Sequence, residues 1–362
     1  MLTRRSLLSG AAAGVLTPKT KAAVEDLPLR QRAAKSGRSY GCAAGSYQLR
    51  DADFAPVLAR EAGVLVPEYE LKRLIVEPTP GHFDFSGADV LIAFAAAHGM
   101  TMRGHTLVWY AANPDWLEAA VLAAPDEDIL TGYVTGMVQR YRGRIQSWDI
   151  VNEAIQPDDG RPDGLRDCFW LKRYGPSYID HAYFAARQAD LTAQLVYNDW
   201  GCEGGEAWND RFRATTLKFL EGALARKVPI DALGLQGHLA AFHGSVNQRK
   251  LRAFLDEVRA MGLKILVTEH DVDDSGGPSD IAVRDRAVAD ASARFFDVVL
   301  DNTAATDVLT WGLTDRYLKA PGGLRSMLSG YTPRKLPLDA NLKRKPMWYA
   351  MSQALAAEHG IR

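Results

Sequence analysis

Eight short apolar runs, each followed by an amphipathic stretch, recur in order along this 362-residue chain, and that alternation restricts the fold more than any other feature. Strands are expected at Ser39–Ala44, Val64–Pro67, Thr101–His105, Ile145–Asn152, Leu195–Asn198, Ala232–Gly237, Lys264–Glu269 and Asp307–Gly312. The runs are short and apolar on both faces, as strands of a covered parallel sheet must be. Between them a 3.6-residue period predicts helices over Asp53–Ala62, Ala88–His98, Asp128–Tyr141, Tyr178–Ala189, Asp210–Arg226, Gln248–Met261 and Ile281–Leu300. A last helix is expected at Pro346–Ala357. Eight strand–helix pairs in sequence predict an α/β fold, a single-domain (β/α)8 barrel over residues 26–362. A doubly wound open sheet is the alternative, but no Gly-x-Gly-x-x-Gly fingerprint supports it.

The charge balance narrows the partners. With 43 basic and 44 acidic residues, net charge −1, no overall field favours nucleic acid or anionic lipid. The start of the chain reads as an address. Thr3-Arg4-Arg5-Ser6-Leu7-Leu8 sets paired arginines before a mild apolar run ending at Leu16, with small residues at Ala22-Ala23. Residues 1–25 are therefore expected to be an export signal of the twin-arginine type, directing the chain to the periplasm or the exterior. The apolar run is too short to span a bilayer, so no membrane association is expected once the signal is removed. Cys42, Cys168 and Cys202 are the only cysteines, with no Cys-x-x-Cys or Cys/His spacing that would hold zinc. No metal and no cofactor are expected. Cys168 and Cys202 follow adjacent strands, and a disulfide between them is a hypothesis of this reading, with Cys42 a buried thiol.

The ends of the expected strands carry the chemistry. The fourth run finishes in Trp148-Asp149-Ile150-Val151-Asn152-Glu153-Ala154 and the seventh in Val267-Thr268-Glu269-His270-Asp271. Glu153 and Glu269 are far apart in sequence, and a barrel brings such strand ends to one mouth. A lone glutamate at a strand end is more often solvated or a helix cap. Two in such contexts suit glycosidic cleavage, which needs one carboxylic acid to protonate the leaving oxygen and one carboxylate to attack or stabilise the oxocarbenium-like centre. The Gly/Pro-rich stretches Asp158–Gly164, Asp273–Pro278 and Ala320–Pro337 follow runs four, seven and eight, where barrel chemistry is housed.

These segments resemble the family-10 glycoside hydrolases, the endo-β-1,4-xylanases, from about Tyr40 to Ala357. Gly104-His105-Thr106-Leu107-Val108-Trp109 is similar to the family's Gly-His-Thr-Leu-Val-Trp-His, and the Glu153 segment to Trp-Asp-Val-Val-Asn-Glu-Ala. Tyr197-Asn198-Asp199-Trp200, Gly234-Leu235-Gln236-Gly237-His238-Leu239 and Trp311-Gly312-Leu313-Thr314-Asp315 resemble the fifth, sixth and eighth strand motifs. Thr268-Glu269-His270-Asp271 resembles Thr-Glu-Leu-Asp. The resemblance implies a retaining hydrolase of xylan, with Glu153 as acid/base and Glu269 as nucleophile. It implies that Asn152 meets the sugar 2-hydroxyl and that His238 and Asp271 form a supporting network beside Glu269. Glu68, Tyr69, Lys72, His105, Asn198 and Gln236 would contact the sugar, with Trp109, Trp200 and Trp311 as apolar faces. The partner would be xylan or a xylo-oligosaccharide, and the chain a monomer.

Three positions depart from the pattern. Val66-Pro67-Glu68-Tyr69-Glu70-Leu71-Lys72-Arg73 has Tyr69 where an Asn is usual, Tyr110 replaces a His after Trp109, and Trp200 replaces a Tyr. A second tryptophan is missing after Asp315. Tyr69 favours a sister reading, a retaining β-glycosidase for short or decorated substrates. A carbohydrate-binding barrel without catalysis and an NAD(P)-dependent barrel oxidoreductase are further alternatives. The first has no need of paired carboxylates. The second would need a phosphate-binding loop, for which Gly276-Gly277 and Gly322-Gly323 are weak candidates.

Overall fold

A computed structural model describes residues 27–318 and 331–357. The expected export segment lies outside the described residues, as do Gly322, Gly323 and much of the loop after the eighth strand. Eight strands close into one parallel barrel: β1 (Ser39–Ala44), β2 (Val64–Pro67), β3 (Thr101–Gly104), β4 (Ser147–Asn152), β5 (Gln194–Asp199), β6 (Ala232–Leu235), β7 (Lys264–Asp273) and β8 (Ala305–Thr310). Each pairs with its successor, and β8 returns to β1 with Val308 opposite Tyr40. Helices such as Ser86–Ala97, Asp128–Arg140 and Ile281–Val299 cover the outside.

Period-two alternation divides the apolar side chains between two compartments. Cys42, Ala44, Leu65, Leu195, Ile265 and Val308 pack outward with the helices. Their neighbours Ala43, Val64, Val66 and Leu309 form one small inner cluster, and Val196, Ala232 and Leu266 another. The interior is a filled core, so only the residues above it, at the strand ends, are free to serve a site. Two strands break the alternation there. The register shifts in β4 between Asp149 and Val151, and in β7 between Val267 and His270. Such bulges re-aim the following side chains.

The structure differs from the sequence expectation at strand ends and in short helices. β7 runs on to Asp273 because a three-residue strand, His238–Ala240, pairs with its outer end. β8 stops at Thr310, since Gly312 turns the chain away with φ 110°. The helices Leu29–Lys35, Asp115–Ala123 and Phe169–Tyr174 were not expected. They are brief, and tertiary contacts rather than periodicity hold them. Leu29–Lys35 is fastened by Glu61, which is fully buried and accepts from the Leu29 amide at 3.1 Å and from Trp348 Nε1 at 3.1 Å. One carboxylate thereby ties the first described helix to the last. Among the described residues no helix is long and apolar enough to cross a membrane.

The Cys168–Cys202 disulfide is not formed. All three cysteines are free and buried. The Cys168 thiol meets the Tyr178 hydroxyl, whereas Cys202 Sγ lies 3.8 Å from Thr216 Oγ1, so each sulfur packs against a different helix. Burial raises all three thiols above their ordinary pKa, which leaves them poor nucleophiles.

Candidate active site

At the end of β4, Glu153 adopts a left-handed backbone with φ 55°, uncommon for a residue with a side chain. Its amide donates to the Asn198 carbonyl at 2.9 Å, and its carbonyl accepts from Arg166 Nε at 2.7 Å. These bonds offset the strain and turn the buried carboxylate into the barrel mouth. Gln236 Nε2 donates to Glu153 Oε1 at 2.9 Å, and Asn152 Nδ2 to the same oxygen at 3.2 Å. The Tyr110 phenol also hydrogen-bonds Glu153, with its ring 4.1 Å from the Arg166 guanidinium.

The second carboxylate stands on β7. Glu269 Oε1 accepts from Asn198 Nδ2 at 2.8 Å, and its other oxygen lies 3.5 Å from His238 Nε2. Asn198 Nδ2 also donates to Asn152 Oδ1 at 2.8 Å, so two carboxamides link the two glutamates. Asn198 is held in turn by the Thr268 hydroxyl at 2.6 Å. Its Oδ1 would lie 2.5 Å from a Cβ at position 234, which is why β6 carries Gly234 there.

Electrostatics favour the ionised form of Glu269. Burial alone would raise its pKa, but His105, His238 and Asn198 outweigh burial and hold it at about 2. His105 Nδ1 lies 3.0 Å from Asp149 Oδ2 and 3.9 Å from Glu269 Oε1, and Asp149 is paired beneath with Arg103. His238 Nδ1 donates to Asp271 Oδ1 at 2.9 Å, and Lys335 Nζ reaches Asp271 Oδ2 at 2.5 Å. The fields of His238 and Lys335 overcome the effect of burial and depress Asp271 as well. Although burial opposes it, the charges of Asp271 and Glu269 raise His238 well above the usual imidazole range. Asp199 behaves in the opposite way. Burial lifts its carboxyl to about 8, although the Tyr197 hydroxyl donates to it, so it is mostly protonated at neutral pH.

The remaining expected residues fall on two sides of this centre. On one, Lys72 Nζ lies 5.2, 5.4 and 5.5 Å from the ring centres of Tyr69, Trp109 and Trp311. Tyr69 is half exposed, and its hydroxyl is bonded to Glu68. Burial, with the Glu68 charge, pushes that phenol up to about 12. Trp109 Nε1 is buried with no hydrogen-bond partner among the described residues. On the other side a cavity of about 430 Å³ opens from Glu153, Gln236 and His238 and is walled by Trp200, Trp208 and Arg294. The structure thus gathers Glu153, Glu269, Asn152, Asn198, Gln236, His238, Asp271 and His105 into one network. Lys72, Tyr69, Glu68, Trp109 and Trp311 form a flank, and Trp200 stands across the mouth. Several members were not singled out from sequence. Lys335 comes from a loop read only as Gly/Pro-rich, and Asp199 and Glu203 sat unremarked beside Asn198. Tyr110 shows in the sequence only as a departure from the motif.

Two buried carboxylates at strand ends, one held ionised and the other held by neutral donors, form a constellation suited to glycoside hydrolysis. The family model described as Glycosyl hydrolase family 10 matches residues 28–354, and the chain belongs to that family. It is 32% identical over 335 residues to endo-1,4-beta-xylanase B of Thermotoga neapolitana, a match spanning 91% of this chain and 92% of that protein. It is 31% identical over 344 residues to endo-1,4-beta-xylanase 1 of Humicola insolens, spanning 92% and 76%. Among solved structures, xylanase 10B from Thermotoga petrophila RKU-1 in complex with xylobiose superposes with a TM-score of 0.79 at 29% identity, covering 91% of this chain and 97% of that one.

The depressed pKa of Glu269 has a consequence for stability. A carboxyl at about 2 when folded, against an ordinary 4.5, stabilises the fold above pH 4.5, and that contribution is lost as pH falls through 2. The unfolding free energy of the wild type minus that of Glu269→Gln should be level between about pH 5 and 6 and fall by about 3 kcal/mol between pH 5 and 2. Urea titrations at a series of pH values measure the difference. A flat difference across that window contradicts the assignment.

Proposed function

We propose that the protein is an exported, retaining endo-1,4-β-xylanase in which Glu153 is the acid/base and Glu269 the nucleophile. The observation that carries this reading is the asymmetry of two linked carboxyls. Glu269 is held ionised by His105, His238 and Asn198, as a nucleophile must be. Glu153 is met by the neutral donors Gln236, Asn152 and Tyr110, and among the described residues no ion pair ties it. In the first step Glu153 protonates the glycosidic oxygen while Glu269 attacks the anomeric carbon, forming a glycosyl–enzyme ester. In the second, Glu153 takes a proton from water as the water displaces Glu269, and the anomeric configuration is retained. Asn152, beside Glu153, would meet the sugar 2-hydroxyl, and Lys72 would bind ring hydroxyls on the flank. The xylanase relatives support xylan as the substrate.

A second reading within the same chemistry is favoured by Tyr69. Its phenol is engaged by Glu68 and its exposed ring faces Lys72, so this flank offers a stacking surface where the motif it resembles offers a carboxamide. Shorter or differently substituted glycones suit such a flank.

Export rests on Arg4-Arg5 before the short apolar run. Replacing both arginines by lysine should retain the full chain inside an expressing cell that otherwise exports it, and unchanged export would refute the twin-arginine route.

Glu269→Ala should lower turnover of an aryl β-xylobioside by on the order of 10⁴-fold or more. Azide should then restore it, giving a glycosyl azide of inverted configuration. Azide with no such product would remove Glu269 from the nucleophile role, and a wild type that binds xylan but never cleaves it would make the chain a binding barrel.

Tyr69→Asn should raise the ratio of kcat/KM on xylobiosyl over xylosyl aryl glycosides roughly two- to twelve-fold, the worth of one restored polar contact. An unchanged ratio would mean that Tyr69 does not face the second sugar.

A further inference from the structure

Gly237 stands between the two residues that hold the two carboxylates. Gln236 before it bonds Glu153, and His238 after it meets Glu269 and Asp271. Its φ of +74° is open to glycine, and an added Cβ would come within 3.3 Å of Val267 Cγ1. Any rotation of this residue would move both partners at once. The structure holds it from two directions. Its amide donates to Glu203 Oε1 at 2.9 Å, and its carbonyl faces His270 Nδ1 at 2.8 Å.

Both gripping side chains are buried and neither touches Glu153 or Glu269 through a hydrogen bond given by the structure. The bulge in β7 turns His270 outward, where its ring packs against Phe295 and Phe296 and its Nε2 is 3.0 Å from Ser292 Oγ. A carbonyl only accepts, so Nδ1 carries the hydrogen and Nε2 accepts from Ser292. The chain of bonds therefore runs one way, from the Ser292 hydroxyl through the imidazole to the Gly237 carbonyl. Burial lowers the ring to about 4, against the Gly237 hydrogen bond and the pull of Asp271, so it is neutral at neutral pH. The motif that this segment resembles has Leu at the position, which could make neither bond.

We propose that His270 and Glu203 are positioning residues that fix the Gly237 turn, and through it set Gln236 on Glu153 and His238 on Glu269. The proposal rests on those two glutamates being the reacting pair. It predicts that the donor at the Nδ1 position matters and that mere filling of the space does not. His270→Asn places an amide nitrogen near Nδ1 and keeps the bond to Gly237. His270→Gln places it near Nε2 and loses that bond, and His270→Leu suits the phenylalanine walls but has no donor.

The variants are compared as full chains on an aryl β-xylobioside, with urea midpoints measured for each. His270→Gln and His270→Leu should lose on the order of 10- to 100-fold in kcat with KM little changed, as displaced catalytic groups do. His270→Asn should stay within about threefold in kcat. An activity-independent reading comes from ring-nitrogen NMR of His238. Its titration should move down by roughly one unit in the Gln and Leu variants, as its hold on Asp271 and Glu269 loosens, and stay in place in the Asn variant. If the three variants lose activity alike and leave His238 alike, His270 only packs, and the proposal fails. A wild type without hydrolase activity would defeat the functional reading instead, and the His238 titration would still decide the clamp. Should His270→Gln fail to fold, His270→Leu carries the same comparison.

Discussion

The carboxamide of Asn198 gives hydrogens to Glu269 and Asn152 and takes the Thr268 hydroxyl on its oxygen. It is wholly buried, and with these bonds it has little freedom to rotate. The relative placement of the two glutamates depends on it, because Asn152 passes the constraint on to Glu153. Carboxylates buried in a low-dielectric mouth lose hydration, a cost of several kcal/mol for each charge. The barrel meets that cost with amides and imidazoles fixed on neighbouring strands. β5 can supply Asn198 to this point because β6 opposes it with Gly234, leaving space for the side chain.

The opposed behaviour of Glu269 and Asp199 shows which term decides each charge. Both are buried strand-end carboxyls. Glu269 lies beside two imidazoles and an amide, and these win over desolvation. Asp199 has a phenol and backbone amides for company and the Glu153 charge nearby, so desolvation wins and it holds a proton. Burial alone therefore says little about which carboxyl reacts. What distinguishes Glu269 is the line of alternating charge Lys335–Asp271–His238 on one side and His105 on the other.

Much of this was legible in the sequence, and the parts that were not have physical reasons. The strands of the barrel show as apolar runs because both faces are covered, and β1 and β2 have the expected bounds. Glu153 and Glu269 stand out as a pair, since one glutamate at a strand end is more often solvated or a cap, whereas two in such contexts suit glycosidic cleavage. The bulges in β4 and β7 leave no trace in a two-residue period, since each adds a residue whose side chain still looks apolar or polar in turn. The strand His238–Ala240 exists through its pairing with β7, and Lys335 enters the site from a loop whose path composition cannot give. The cysteines show the limit most directly. Adjacent strands bring Cys168 and Cys202 into one region, yet Tyr178 and Thr216 engage the two sulfurs separately.

The backbone at Glu153 joins fold to chemistry. A left-handed glutamate costs on the order of 1–3 kcal/mol, and the strain persists where surrounding bonds over-determine it. Here the Asn198 carbonyl takes its amide, Arg166 takes its carbonyl, and the Ile155 amide two residues on is fixed by Asp199 Oδ2 at 3.3 Å. Arg166 also lies over Tyr110, whose phenol returns to the Glu153 carboxylate. Backbone and side chain of the same residue are thus held by one arginine, directly and through a ring. With a histidine in place of Tyr110 the ring would itself titrate near neutral pH, whereas a phenol stays a neutral donor. The setting of the Glu153 carboxyl is consequently tied to the shape of the turn that carries it.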